Sequence, residues 1–159
     1  MIWQLPRLGP HGEGWVAPQP ILVVALVVAG TKGHKWPSAL RGVRLAAAGL
    51  SGAAGLYLFS DGVTRLGRQL RPYPKPTEEG SVKHSGAFGL VRHPMYGGVL
   101  LMAMGWALAS SPLTLVPWTV AAAFLDAKRR REEAWLLEEH PEYAEYMASV
   151  PHSFMPFVW

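Results

Sequence analysis

Apolar and polar residues fall in long alternating blocks along this chain, without the strict alternation expected of strands. The first apolar block runs from Trp15 to Gly30, with a dense Ile21-Leu22-Val23-Val24-Ala25-Leu26-Val27-Val28-Ala29 centre. It is short against the roughly 20 residues that cross a bilayer. Pro18 and Pro20 suit its first turn, where a missing amide proton costs least. The second block extends from about Ala39 to Phe59. Its Gly49, Ser51, Gly52, Ala53, Ala54 and Gly55 place small residues three and four apart, which lets membrane helices approach closely. That face also permits self-association. The third and fourth blocks, Met95 to Ser110 and Leu113 to Leu125, are parted by Ser111-Pro112 and read as a tight helical hairpin.

The polar blocks carry the rest of the plan. Residues 1–14 form an irregular lead-in, resting on the membrane through Ile2, Trp3 and Leu5, with no signal-peptide pattern. Thr31 to Pro37 is a polar link, and Arg41 and Arg44 snorkel from the start of the second block. Residues 60–92 read as a long polar loop in which Pro72, Pro74 and Pro76 forbid a helix. Loops of this length are often functional. Beyond Leu125, Asp126 to Glu139 is rich in helix formers. Leu113 to Glu139 as one helix is about 40 Å long at 1.5 Å per residue, so its last turns stand out of the membrane beside the polar loop. His140-Pro141 ends it. A short amphipathic turn follows through Tyr143 and Tyr146, and Val150-Pro151 and Met155-Pro156-Phe157 make the tail irregular. The fold class is all-α: an integral membrane bundle of about four transmembrane helices. It is a single domain over 1–159, with amino-terminal spans in 1–59 and the chemistry in 60–159.

Composition agrees with this pattern. Half the residues are hydrophobic and 16% are charged, against roughly 25% in soluble domains. The 15 Lys+Arg exceed the 11 Asp+Glu, but they lie between apolar runs, which favours anionic lipid over nucleic acid as the partner. There is no Cys, hence no thiolate nucleophile, disulfide or Cys-based metal site. The histidines His11, His34, His84, His140 and His152 lack metal-ligand spacing. No Gly-x-Gly-x-x-Gly run follows a strand, which argues against a Rossmann-type fold. Lys/Arg residues in 60–92 and at 128–131 place both segments in the cytoplasm.

Two polar clusters then share one membrane face. One is Arg92-His93-Pro94-Met95-Tyr96; the other is Lys128, Arg129, Glu132 and Glu133. Each lies about one membrane thickness from the Ser111-Pro112 turn, so the hairpin brings them together. Taken separately, the first could be an interfacial anchor, and Lys128/Glu132 an exposed i,i+4 pair worth a few tenths of a kcal/mol. Together they describe a pocket that the proline-rich loop can cover.

The ordered set Gly86-x-Phe88-x-x-x-Arg92-His93-Pro94-x-Tyr96-x-Gly98, Glu132-Glu133-x-x-Leu136, Tyr143-x-x-Tyr146-x-x-x-Val150-Pro151 and Pro156-Phe157 resembles the isoprenylcysteine carboxyl methyltransferase family. The related phospholipid N-methyltransferases share the theme. Leu66-Gly67-Arg68 and Pro72-Tyr73-Pro74-Lys75-Pro76 are similar to bacterial members, and the resemblance covers roughly 60–159. It implies an inner-membrane enzyme that uses S-adenosylmethionine, with the cofactor site facing the cytoplasm. It further implies a lipophilic methyl acceptor, a carboxylate, amine or thiol, arriving from the bilayer. By position, His93, Pro94, Met95 and Tyr96 would line the cofactor site. Val82 and Lys83, in the run Gly80-Ser81-Val82-Lys83, match another cofactor-contacting segment, and Glu132 matches the family's cofactor-binding glutamate. A tyrosine of the family is Phe88 here, and its substrate-side arginine is Lys128. Lys lacks the bidentate fork, so Arg129 is a second candidate beside Lys128 and Arg92 for the substrate side.

Basic residues suit the cofactor's carboxylate, Glu132 its ammonium or ribose hydroxyls, and the Tyr96 ring its sulfonium. Two other readings compete: a nicotinamide-dependent membrane reductase of similar architecture, and a non-catalytic membrane subunit that keeps the fold. The pairing of Arg-His-Pro-x-Tyr with Glu-Glu-x-x-Leu favours the methyl donor.

Overall fold

The computed structural model describes residues 5–70, 73, 75 and 82–159. It contains five α-helices: α1 Pro18–Lys32, α2 Arg41–Leu66, α3 Pro94–Ala109, α4 Leu115–Glu139 and α5 Tyr143–Ser149. No strand occurs among the described residues. The all-α expectation holds. Pro18 opens α1 and Pro94 opens α3, each at a position whose amide has no intrahelical acceptor.

One boundary differs from the sequence reading. α2 does not stop at Phe59 but runs on through Leu66. Ser60 to Arg65 is polar without being helix-breaking, and the added turns are braced by Arg65 Nε donating to Asp61 at 2.7 Å. The helix ends at Gly67, whose φ of +50° suits a residue without a Cβ. Pro72, Pro74 and Pro76, expected to be extended, lie outside the described residues, as do Ile2 and Trp3.

Two stretches, Glu13–Lys32 and Arg41–Gln69, are long and apolar enough to cross a membrane. α3 is apolar but only 16 residues long, and the apolar part of α4 reaches Leu125. Only 17% of the most apolar part of each long stretch is buried in the protein. Ile21, Val24 and Val28 on α1 and Leu50 and Leu56 on α2 point outward. A core helix of a soluble protein would hide such residues; a bilayer covers them here.

The small residues of α2 are used within the chain. A Cβ on Gly55 would lie 2.6 Å from the Gly98 carbonyl oxygen, one on Gly98 2.7 Å from the Gly55 oxygen, and one on Gly105 2.7 Å from the Ala48 oxygen. As the α2 number rises the α3 number falls, so the two helices cross antiparallel with backbones in near contact. Gly49 faces away, with nothing near its Cβ position.

At the far end of α3, Trp36 Nε1 donates to the Ala107 carbonyl at 2.9 Å and an Arg44 amino group donates to the Leu108 carbonyl. Arg44 therefore caps carbonyls that the helix end leaves unpaired; it does not snorkel. Trp106 Nε1 donates to the Leu26 carbonyl at 3.1 Å and ties α1 to α3. The hairpin turns on Ser111, whose hydroxyl accepts from the Leu113 amide. α4 then runs unbroken to Glu139, as the sequence predicts, and Trp118 Nε1 donates back to the Leu100 carbonyl at 2.8 Å.

After α5 the chain returns to the start of α3. The amides of Arg92 and His93 donate to the carbonyls of His152 and Ser153 at 3.0 and 2.8 Å. Residues 150–159 thus form a strap across the head of α3.

Candidate active site

The segment leading into the Arg-His-Pro stretch is fixed from two sides. Asp61 accepts the Ala87 amide at 2.7 Å, and Arg65 donates to the Ser85 hydroxyl at 2.8 Å while its guanidinium fills the space where a Cβ of Gly86 would stand. From the other side the Tyr146 hydroxyl donates to the Phe88 carbonyl at 2.7 Å. Pro94 then starts α3, so Met95 and Tyr96 occupy its first turn.

Glu133 is the hub. Its Oε1 accepts from Arg92 Nε at 2.8 Å and lies 3.1 Å from His93 Nε2, while Oε2 accepts from Arg129 at 2.9 Å. The rest of the Arg92 guanidinium is also spoken for: it donates to the carbonyls of Val150 and Pro151 and to the Ser153 hydroxyl, at 2.7–2.8 Å. Arg129 holds Asp126 as well, at 2.6 Å. Burial by itself would raise the Glu133 carboxyl. The hydrogen bond and charge of His93, the hydrogen bond from Arg92 and the charge of Arg129 outweigh it and hold the group at about 2.

Beside this hub sits a second, less enclosed group. The Tyr96 hydroxyl donates to Glu132 Oε2 at 2.7 Å, and the ring stacks on His93 with centroids 5.4 Å apart. Lys128 is 3% exposed and holds its Nζ 5.2 Å from the centre of the Tyr96 ring, a cation–π contact. The alternative of an exposed Lys128/Glu132 surface pair is therefore corrected: Lys128 is buried over the Tyr96 ring. Burial lowers its pKa, with the Glu132 charge acting the other way. Phe154 from the strap stands edge-on to both His93 and Tyr96, and Trp159 stands edge-on to Phe154.

The structure thus brings together His93, Tyr96, Lys128 and Glu132, with Arg92 and Arg129 in the adjoining ion network. Pro94 and Met95 pack against Gly62 of α2. Val82 joins the cluster of Tyr143, Tyr146 and Val150, with half-buried Lys83 beside it. Phe88 meets Tyr146 through its carbonyl; Gly80 and Ser81 lie outside the described residues. Sequence reasoning placed Glu133 in the second polar cluster without giving it a role, and gave no weight to Ser153 or Phe154. The Arg129/Glu133 spacing of four was a readable signal for the first. The strap residues carried no comparable mark, because their partners are some sixty positions away.

The helical bundle with outward apolar faces, and a polar cluster at the head of one helix, defines a membrane-type helical protein. The model of the family described as phospholipid methyltransferase matches residues 43–143, well over half of the chain. This chain belongs to that family. It is also 34% identical, over 79 residues, to a Delta(14)-sterol reductase of Mus musculus; the match covers 47% of this chain and 19% of the reductase.

Proposed function

We propose that the protein is a membrane methyltransferase that takes its methyl group from S-adenosylmethionine and passes it to a lipophilic acceptor. The observation that carries this reading is the Tyr96–Glu132 pair, stacked on His93 and overlaid by Lys128. The donor set suits the cofactor. Glu132 commits Oε2 to Tyr96, and its second oxygen makes no hydrogen bond to a described residue, so it can accept from an ammonium or a ribose hydroxyl. The Tyr96 ring is already stacked on His93 and overlaid by Lys128, so the sulfonium expected there has no open ring face, while Lys128 supplies positive charge for a carboxylate on the cofactor or acceptor. When bound, the cofactor brings an activated methyl group. The chain's own part is alignment and exclusion of water.

Lys128 belongs to the acceptor side in this reading. Arg92 and Arg129 act as positioning residues, because their guanidinium groups are already held by Glu133, Asp126 and the strap. The reading places four helices across a bacterial inner membrane, with the site facing the cytoplasm and the acceptor, a carboxylate, amine or thiol, entering from the bilayer.

Calorimetric titration of detergent-purified protein with S-adenosylhomocysteine tests it, with a nicotinamide dinucleotide as control. Binding is expected for the first ligand only, and His93→Ala and Glu132→Ala should each weaken it at least tenfold, about 1.4 kcal/mol. No binding at millimolar S-adenosylhomocysteine would remove the methyltransferase reading. The likeness to a sterol reductase keeps a second reading in view; binding of the dinucleotide instead would favour it.

A further inference from the structure

Arg131 is the one position on α4 where a cation is buried without being used. It is 6% exposed, and its Nε and Nη2 atoms have no hydrogen-bond partner among the described residues. Its guanidinium lies over the Trp135 ring at 4.2 Å. An orphaned buried donor costs about 1–3 kcal/mol, more when charged. The other orphaned side chains among the described residues lie at the far end of the bundle and differ in kind: Arg44 leaves Nε unpaired but caps the Leu108 carbonyl through another nitrogen, and Thr114 offers a neutral hydroxyl.

The amino-terminal loop packs over this part of α4 and brings a second cation, Arg7, into range of Arg131. The Leu8–Gly14 loop is closed by the Gly14 amide donating to the Leu8 carbonyl at 2.9 Å, and Trp15 Nε1 donates to the Pro6 carbonyl at 3.1 Å. From this closed base Trp15 reaches Phe124 and Arg7 reaches Glu138. Position 131 is midway between those two contacts on α4, so the loop base sits about level with it. The nearby carboxylate, Glu138, faces Arg7 at 3.9 Å. Arg131 and Lys128 are three positions apart on α4, so their Cβ atoms are about 5–6 Å apart. The unused fork is thus one helical turn from the acceptor-side lysine.

We infer that Arg131, backed by Trp135 and roofed by the amino-terminal loop, is a receptor for a phosphate group. A guanidinium fork with adjacent unpaired nitrogens matches two phosphate oxygens, and a rigid aromatic floor keeps it from collapsing onto another partner. The subsite rests on the methyltransferase reading for its purpose: it would hold an acceptor by its phosphate while the group to be methylated lies toward Lys128 and Tyr96. The same chemistry is offered by a lipid headgroup and by inorganic phosphate.

The test titrates the full chain, in a neutral detergent, with dihexanoylphosphatidylglycerol, with inorganic phosphate, and with dihexanoylglycerol, which lacks the phosphate. The phospholipid should bind and dihexanoylglycerol should bind at least tenfold more weakly. Arg131→Gln and Arg131→Lys should each lose at least tenfold in phospholipid affinity, since lysine cannot reproduce the fork. Competition by inorganic phosphate at similar concentration would assign the subsite to the bare anion, and its absence to the esterified headgroup. Undiminished phospholipid binding in Arg131→Gln would overturn the inference. Arg131→Met separates ligand reception from support of the fold: its melting temperature without ligand should equal or exceed that of the native chain, whereas a purely structural arginine would lower it. S-adenosylhomocysteine affinity, measured alongside, should be unchanged in every Arg131 variant. If the native chain fails to bind that ligand yet binds phospholipid through Arg131, the methyltransferase reading falls and the subsite stands.

Discussion

Arg92 and Glu133, 41 positions apart, share a 2.8 Å hydrogen bond between side chains that are each only 7% exposed. The bond joins the head of α3 to the emergent half of α4, and the same guanidinium holds the strap. Removing either partner breaks a buried ion pair, which typically costs about 3–5 kcal/mol. Arg92→Met and Glu133→Leu should therefore each lower the thermal midpoint sharply, and the double variant by clearly less than the sum. Additive losses in that cycle would mean the two groups act independently.

The depressed Glu133 carboxyl gives stability a defined pH dependence. Its ordinary value is 4.5 and its folded value about 2. The folded state thus prefers the ionised form, and this contribution is complete above pH 4.5 and fades as pH falls toward 2. Thermal midpoints measured between pH 6 and pH 2.5 should fall more steeply for the native chain than for Glu133→Gln. Parallel curves would show that the carboxyl titrates alike in folded and unfolded chains.

Tyr96 offers a separation of ring from hydroxyl. Tyr96→Phe keeps the stack on His93 but deprives Glu132 of its 2.7 Å donor. A hydrogen bond to a charged group contributes about 1.5–3 kcal/mol to stability, so the melting temperature should fall, and S-adenosylhomocysteine affinity should drop about tenfold as Glu132 loses the donor that orients it. Native affinity in this variant would detach the Glu132 pair from cofactor binding.

The glycines on α2 and α3 make opposite predictions. Gly97→Ala would drive a methyl group into the Phe154 carbonyl, and Gly98→Ala would crowd Gly55 and Phe59. Both should destabilise the protein, the first with loss of the strap, seen as faster proteolysis within 150–159. Gly49→Ala meets nothing and should be neutral or stabilising by up to about 1 kcal/mol. A loss at Gly49 equal to that at Gly98 would contradict the assigned α2–α3 seam.

Topology can be read by chemistry that the native chain lacks, since it contains no cysteine. Single cysteines at Ser38 and Glu139, in intact inverted vesicles, should differ in labelling by an impermeant maleimide: Glu139→Cys reactive, Ser38→Cys protected. The reverse pattern would invert the proposed orientation.

Much of the architecture was legible because it depends on local pattern. The helix starts at Pro18 and Pro94, the turn at Ser111-Pro112 and the long α4 all follow from nearby residues. Phe59 failed as a helix end because polarity was read as the stop, whereas only Gly67 supplies a backbone that breaks the helix. The site was half legible. His93, Tyr96, Lys128 and Glu132 stood out by type and spacing, but their division into an open pair and a closed network did not. That division turns on which of two adjacent glutamates faces Arg92, a matter of helix rotation that packing alone decides. Trp36 and Arg44 as caps on α3 are similarly invisible, because carbonyl acceptors leave no trace in a sequence.

The strap has a consequence for how the protein is made. Arg92 finds its acceptors at Val150, Pro151 and Ser153, 58 to 61 positions downstream. At about 5–20 residues per second, a ribosome needs roughly 3–12 seconds to supply them. During that interval α3 and then α4 are made and become available to the membrane, while the cation at the head of α3 still lacks these three acceptors. The pocket is therefore a late product of biogenesis: insertion comes first, and closure around Arg92 comes last.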